Sequence, residues 1–495
     1  MDEEKILDSY GDVRIILRKS NGLPIYQVIE PEFSESELEI IKNPKSLGMD
    51  FEDLEKTLSK LNNITEKEEF LKRHIRNKLE KKGIISENTD KLIIRIMDDI
   101  FFGYGRLGPL MRDSRLEEIM INGVNTPVFV VHRTYGMCIT NINYESYKSL
   151  QKLIDWLSFH AGREIDHEKP LLDGHMPDGS RANVVVSPAA PKGPAITIRK
   201  FKRAPYTIID LITMKSISID LAAFLWLCVE GLGIHPCNIL IAGGSGSGKT
   251  TLMNALAMFI PQYERVITIE DTLELNFDFL RNWVPLEARP TLIGRTKNEI
   301  DMQVLVENSL RMRPDRIIVG EVRGKEAETL FVAMDIGLNG SMGTVHSNSA
   351  KETVTRLTSE PMNVSVKMFP LLDLIVITNR HYDKNQGLIR RVTEVGEVAG
   401  LEGDVVQVGK IYKWDSKSDR VARTEYPVLL KDKIVQRCGI TKNQLNLELF
   451  KRQQIIKYMV LKGIRKKDDV IRMFQDYHRD SNAVLEKLGI KITVQ

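Results

Sequence analysis

The chain lacks the marks of membrane, secreted and nucleic-acid-coating proteins. No apolar run approaches the roughly 20 residues needed to span a bilayer. The opening stretch MDEEKILDSYGDVR is charged and has no apolar core, so it does not read as a secretory signal. Only four cysteines occur (Cys138, Cys228, Cys237, Cys438), none in CxxC spacing, and they are too few to staple a chain of 495 residues. Lys plus Arg is 70 and Asp plus Glu is 67, so the basic excess of a general nucleic-acid binder is missing. Aromatic residues are 7% of the chain, which is thin for stacking on bases. Internal repeats and low-complexity tracts are absent. What is present is a hydrophobic fraction of 42%, enough for real cores. At about 150 residues per domain the length suggests roughly three domains. Composition therefore points to a soluble, cytoplasmic, multidomain protein and leaves its chemistry open.

The first 95 residues are dense in charge, and 51–62 and 66–82 carry helical periodicity with solvated Lys/Glu faces, so this part reads as a helical accessory segment. Residues 96–205 read as a small α+β domain. Residues 127–132 have strand character, 134–136 suit a hairpin turn, 146–162 a helix, 164–187 a loop-rich stretch and 195–200 a strand. Low periodicity and Pro205 put the main boundary within 201–214, with 206–214 as a hinge linker. Residues 218–231 read as a helix stopped by Gly231. From 238 to about 380 short apolar runs alternate with helical patterns, the sign of an α/β domain, which is placed at 215–392. Residues 393–495 read as an extension of short strands followed by helices.

The strongest motif is Gly243-Gly244-Ser245-Gly246-Ser247-Gly248-Lys249-Thr250, which fits G-x-x-x-x-G-K-[ST] at every fixed position. An apolar run at 238–242 precedes it, and a helical run beginning at Thr251 follows. In such a loop the backbone curls so that successive N–H groups point at phosphate oxygens. The following helix adds its positive end. Lys249 should reach the β and γ phosphates of ATP, and Thr250 should ligate Mg²⁺. Residues 243–251 are thus the expected nucleotide contacts.

Further boxes follow in order. The apolar run 265–269 ends in Glu270-Asp271-Thr272-Leu273-Glu274, carboxylates at a strand end, where open α/β sheets bind ligands. One could orient the attacking water; a solvated acidic loop is the plainer alternative. Residues 317–319 followed by Gly320-Glu321 have the form of a Walker B strand, except that the usual acidic residue before the Glu is Gly320. Mg²⁺ is then expected on Thr250 and on waters that Glu321 orders. His346 follows in a Gly/Ser/Asn-rich turn. A lone histidine is more often structural, but its place after the other boxes favours a role at the site.

Taken in order, the four boxes at 243–250, 269–274, 310–324 and 343–350 resemble those of the type II/IV secretion ATPase superfamily, over about residues 100–392. The resemblance implies a RecA-like P-loop ATPase domain preceded by a smaller α+β N-terminal domain, an α/β fold that forms rings. It carries the catalytic base onto Glu274, the Walker B glutamate onto Glu321 and the histidine-box residue onto His346. Stretches 26–32, 177–183 and 197–201 are similar to the archaeal branch, the archaellum and archaeal type IV pilus ATPases, and the tail after Leu388 loosely so. Val345 and Ser347 depart from the frequent Leu and Ala of the histidine box. Arg181 and Arg199 are candidates to supply charge to the leaving γ-phosphate; surface ion pairs are the alternative for both. Arg313 and Arg323 flank the Walker B strand, as sensors or as salt-bridge partners.

A hexameric motor hydrolysing Mg-ATP is the implied activity, with hinge closure as the mechanical step. A polytopic membrane platform protein and filament assembly components are the implied partners, with no nucleic acid. The chain would then be cytoplasmic and attached to the membrane through a partner. Two rivals remain: a conjugation or DNA-translocation ATPase, and a non-motor nucleotide-binding regulatory module.

Overall fold

The computed structural model describes residues 4–490 apart from 19–21, 50, 59, 62–63, 201–204, 289–299 and 384–386. It divides into two units, Met1–Lys202 and Arg203–Gln495. Each carries one nine-stranded sheet.

The first sheet is built from β1 (Glu4–Tyr10), β2 (Val13–Arg18), β3 (Ile25–Val28), β4 (Leu116–Asn122), β5 (Pro127–His132), β6 (Gly136–Asn143), β7 (Leu171–His175), β8 (Arg181–Val185) and β9 (Ala195–Arg199), in the order β1-β2-β3-β6-β5-β4-β9-β8-β7. All its pairs are antiparallel except β3 with β6. Burial alternates along the strands: Ile196 and Ile198 on β9 are buried while Thr197 and Arg199 are exposed. That is the pattern of a sheet with one face on a core. Helix Tyr147–Ala161 covers that face through Leu150, Leu153, Ile154 and Leu157. A second small core joins Leu71, Ile75 and Leu79 of helix Ile64–Lys81 to Leu92, Ile93 and Ile96 of helix Thr89–Ile100.

Two expectations change here. The first 95 residues are not wholly helical, because 4–28 form three strands that join the sheet through β3. Their short alternation (Val13 and Ile15 buried, Arg14 exposed) is masked in the sequence by the surrounding charge. The loop-rich stretch 164–187 contains the hairpin β7–β8, with Asp173 opposite Asn183. Its Pro and Gly residues punctuate the hairpin rather than abolish it.

The second sheet contains β10 (Ile239–Ala242), β11 (Arg265–Glu270), β12 (Asn282–Glu287), β13 (Arg316–Val322), β14 (Met342–Val345), β15 (Leu374–Asp383), β16 (Gly387–Glu402), β17 (Val405–Asp415) and β18 (Arg420–Arg423), in the order β12-β11-β13-β14-β10-β15-β16-β17-β18. From β12 to β15 neighbours run parallel, and from β15 to β18 antiparallel. Every residue of β10 and β14 is buried, as expected where helices cover both faces of a parallel sheet. This is the α/β, RecA-like architecture, preceded in the chain by an N-terminal unit that mixes helices and strands.

The expected boundary at 392 falls inside β16, so the C-terminal strands continue the same sheet. The helical tail also shares the core. Trp226 of helix Ile219–Glu230 stacks on Phe259 and packs against Phe474 and Tyr477, at centroid distances of 5.4, 4.6 and 4.9 Å. The buried Arg452 bonds Glu230 Oε2 at 2.6 Å. Of the expected boundary stretch 201–214, residues 201–204 lie outside the described residues, while within the expected hinge 206–214 residues 208–213 form helix Ile208–Thr213. Thr207 and Asp210 close a capping box on it, and Ile208, Ile209 and Leu211 are buried in the core. A short capped helix anchored by three apolar side chains is not a linker.

Candidate active site at the phosphate loop

The loop after β10 turns into helix Lys249–Ala257. Gly246 and Gly248 take φ of +67° and +100°, a region that side chains with a Cβ avoid. At Gly243 a Cβ would come within 2.2 Å of the Thr378 carbonyl, so β15 presses directly on the loop. Thr378 Oγ1 donates to the Ser247 carbonyl at 3.1 Å. Arg390 Nε on β16 donates to the Gly246 carbonyl at 2.8 Å. Lys249 is 8% exposed, and its ammonium sits in the loop, 3.0 Å from Gly243 O and 3.1 Å from Gly244 O.

The other boxes converge on this point because β11, β13 and β14 end at the same edge of the sheet. Thr250 Oγ1 donates to Glu274 Oε2 at 3.1 Å. Asn254, one turn on, donates to Thr250 O at 3.0 Å and accepts from the Asn276 N–H at 2.8 Å, which ties the acidic box to the helix. His346, just after β14, places Nδ1 3.5 Å from Lys249 Nζ. Its Nε2 lies 2.6 Å from Glu321 Oε1, at ion-pair distance though off hydrogen-bond alignment. Arg323 bonds Glu321 Oε2 at 2.5 Å.

Burial pushes the Glu321 carboxyl up, but the Arg323 bond and the charges of Arg323, His346 and Lys249 outweigh it and hold it below the usual range. Burial and the Lys249 ammonium both push His346 down, so the imidazole is neutral at pH 7. Glu321 is therefore an anion beside a neutral histidine.

Glu270 explains the departure in the Walker B strand. It is 2% exposed, and its Oε1 accepts from the Glu274 and Leu275 N–H groups, each at 3.0 Å. A Cβ at Gly320 would lie 2.6 Å from Glu270 Cγ. The position next to Glu321 is thus glycine because a neighbouring strand's carboxylate fills that space. Burial raises the Glu270 carboxyl to about 8, against the two backbone bonds, and its buried Oε2 has no hydrogen-bond partner among the described residues. Glu270 was visible in the acidic box but carried no signal for this role.

The structure brings together Lys249, Thr250, Glu274, Glu321 and His346, with Ser245 and Gly246 exposed at the loop apex and Thr251 in the first helical turn. Arg181 and Arg199 belong to the other unit, where they are register partners across β8 and β9. Arg181 is engaged by Asp173, at 2.8 and 2.5 Å. Arg313 is an exposed residue with φ +54° shortly before β13. Among the described residues no group of three His, Cys, Asp or Glu side chains could hold a metal by itself. The Thr250 hydroxyl beside Glu274, with Glu321 near, suits Mg²⁺, which takes few protein ligands and keeps phosphate oxygens and waters. Thr378 and Arg390 reach the loop from strands far along the chain, and no local pattern announced them.

The family described as type II/IV secretion system protein matches residues 108–384. A Methanocaldococcus jannaschii protein, uncharacterized protein MJ0781, is 49% identical over 242 residues, 48% of this chain and 33% of that one. The chain thus spans about a third of that relative's length. A second from the same organism, uncharacterized protein MJ0900, is 32% identical over 436 residues, 86% of this chain and 76% of that one. Conjugal transfer protein TrbB of Rhizobium radiobacter is 32% identical over 303 residues, 60% of this chain and 87% of that one.

Proposed function

From membership in the type II/IV secretion system protein family, to which this chain belongs, we propose that it is a Mg-ATP hydrolysing motor. It works as a hexamer in the cytoplasm, on a polytopic membrane platform protein, to assemble an archaeal type IV pilus-like filament or to drive secretion. The observation that carries the reading is the meeting of Lys249, Thr250, Glu274, Glu321 and His346 at the ends of β10, β11, β13 and β14. Families of this kind act as ATPases, and these residues would supply the parts that phosphoryl transfer to water requires.

Lys249 would neutralise the β and γ phosphates. Thr250 would give its hydroxyl to Mg²⁺, the cation that offsets charge on the phosphates. Glu274 would accept the proton of the attacking water, and Glu321, an anion at neutral pH, would order the water shell of the metal. His346, neutral and placed between Lys249 and Glu321, would sense the γ-phosphate through either neighbour. Arg181 and Arg199 would act on the site of an adjacent subunit. Among the described residues no helix is long and apolar enough to cross a membrane, which fits attachment through a partner.

The test is phosphate release from Mg-ATP by the purified chain, with mass photometry in ATP. Turnover together with a six-subunit species is the expected result; a monomer that releases no phosphate would overturn the proposal. The similarity to a conjugal transfer protein favours a second reading, a motor on DNA. That reading requires DNA to stimulate turnover and to bind with steep salt dependence.

A further inference from the structure

One strand pair reaches the phosphate loop from the side opposite the acidic boxes. In the sheet, β10 lies between β14 and β15. The carboxylates and His346 occupy the β14 side, where the terminal phosphate would be hydrolysed. The β15–β16 side is the other flank of the loop, where Thr378 and Arg390 already hold its carbonyls.

Its geometry is regular. After the irregularity between Ile377 and Thr378, the register pairs Thr378 with Val392, Arg380 with Arg390 and Tyr382 with Leu388. Alternation puts Thr378, Arg380 and Tyr382 on one face, with Arg390 and Leu388 beside them. That face is the loop face, because Thr378 bonds Ser247 and Arg390 bonds Gly246. A Cβ added to Gly246 would come 3.4 Å from Arg380 Nη1, so the second guanidinium also stands at the loop apex. Arg380 pairs with Arg390 through the strand ladder, but among the described residues its guanidinium makes no hydrogen bond or ion pair. The opposite face is already committed to structure, with His381 stacked on Trp414 at 4.7 Å and Arg391 bonded to Asp419 at 2.7 Å.

Further out on the loop face, Tyr382 is 80% exposed and Leu388 37%. A step of two residues along a strand covers about 6.6 Å, comparable to the reach of a ribose between its phosphate and its base. Cations at the loop followed by an aromatic ring one step outward is an arrangement that fits a nucleotide lying along the strand. Base–aromatic stacking tolerates any base, and guanidinium groups suit phosphate oxygens.

We propose that the β15–β16 ladder is the nucleoside side of the site, with Arg380 and Arg390 on the phosphate next to the ribose and Tyr382, backed by Leu388, stacked on the base. The inference rests on the nucleotide-binding reading of the phosphate loop. It assigns these residues to affinity for nucleoside di- and triphosphates alike, not to recognition of the γ-phosphate.

Calorimetric titration of the full chain with Mg-ATP, Mg-ADP and Mg-tripolyphosphate tests it, with thermal melts to confirm folding. Tyr382→Ala should weaken ATP and ADP about 5- to 100-fold and leave tripolyphosphate unchanged, while Tyr382→Phe restores binding. The double variant Arg380→Ala/Arg390→Ala should weaken ATP and ADP by similar factors of about tenfold or more, and a Lys/Lys version should weaken them less. A Tyr382→Ala variant that binds ATP like wild type, or loses tripolyphosphate equally, overturns the stacking role. A double variant that keeps both nucleotides, or loses ATP alone, overturns the phosphate role. If wild type binds and Lys249→Ala does not, such results reject this inference only. If wild type binds no nucleotide, the reading of the whole site fails and this inference with it.

Discussion

In the unit that ends at Lys202 strands pair antiparallel apart from β3 with β6, and buried residues alternate with exposed ones; in the unit that follows, six strands from β12 to β15 run parallel and the central ones are buried throughout. The sheets have the same number of strands and opposite uses. In the first, polar groups are consumed in holding the sheet: Asp113 accepts from Tyr10 at 2.8 Å and from Tyr26 at 2.6 Å. In the second, parallel strands all end at one edge, so loops from β10, β11, β13 and β14 deliver charged groups to one place. A parallel, doubly covered sheet buys convergence at the cost of alternation, and alternation is what a sequence displays most clearly.

The sharpest break of this comparison is at the loop. Lys249→Ala should lose ATP binding, and Glu321→Gln should bind ATP yet hydrolyse at least about 10²- to 10³-fold more slowly, with neither changing the melting of the first unit. Hydrolysis by Glu321→Gln at the wild-type rate would reject its assigned role.

Core truncations come next. Ile241→Ala on β10 and Ile198→Ala on β9 both remove side chains of 0% exposure, and each should cost about 2–5 kcal/mol. Ile241→Ala should also weaken ATP binding, because β10 leads into the loop, whereas Ile198→Ala should leave it intact. Denaturant melts with nucleotide titrations check this pair.

Third, Glu270 makes the second unit sensitive to pH. Its folded carboxyl is raised to about 8 from 4.5, so the folded state keeps a proton that the unfolded state has lost. Its contribution is fully present below the unfolded value and is lost as pH rises to about 8, a change on the order of 5 kcal/mol. Glu270→Gln should flatten that slope between pH 4.5 and 8 in denaturant melts; an unaltered slope would mean another group titrates there.

The smallest effect belongs to the first unit. Arg181 and Asp173 are partly exposed, so Arg181→Ala should cost at most about 1 kcal/mol of stability. If Arg181 also serves a neighbouring site, turnover should fall while melting barely moves; unchanged turnover leaves it a surface ion pair.

Much of the second unit was legible. Helix Ile219–Glu230 has its cap Ser218, whose side chain accepts from Leu221 N–H, and its stop at Gly231 with φ +64°. Strands β10, β11 and β13 stand where apolar runs precede the boxes. Other features were hidden for physical reasons. β2 holds few residues, and charges flank it. Helix Ile208–Thr213 is too short to show a period, although Thr207 and Asp210 at its cap were readable. The continuation of the sheet past 392 depends on β16 pairing with β15, and pairing between strands leaves no mark in either alone.

The sequence alone determined the phosphate loop, because glycines, a lysine and a hydroxyl in consecutive positions set a local backbone curl before a helix. It also determined which residue types follow it. Which of them meet was decided only by the tertiary structure. His346 reaches Lys249 across 97 positions of chain because β14 lies beside β10. Glu270 occupies the space at Gly320 because β11 lies beside β13. Arg390 touches Gly246 because β16 folds back on β15. Spacing along a chain fixes neighbours within a turn or a helix; the order of strands in a sheet is a long-range choice, set by how all the buried faces pack at once.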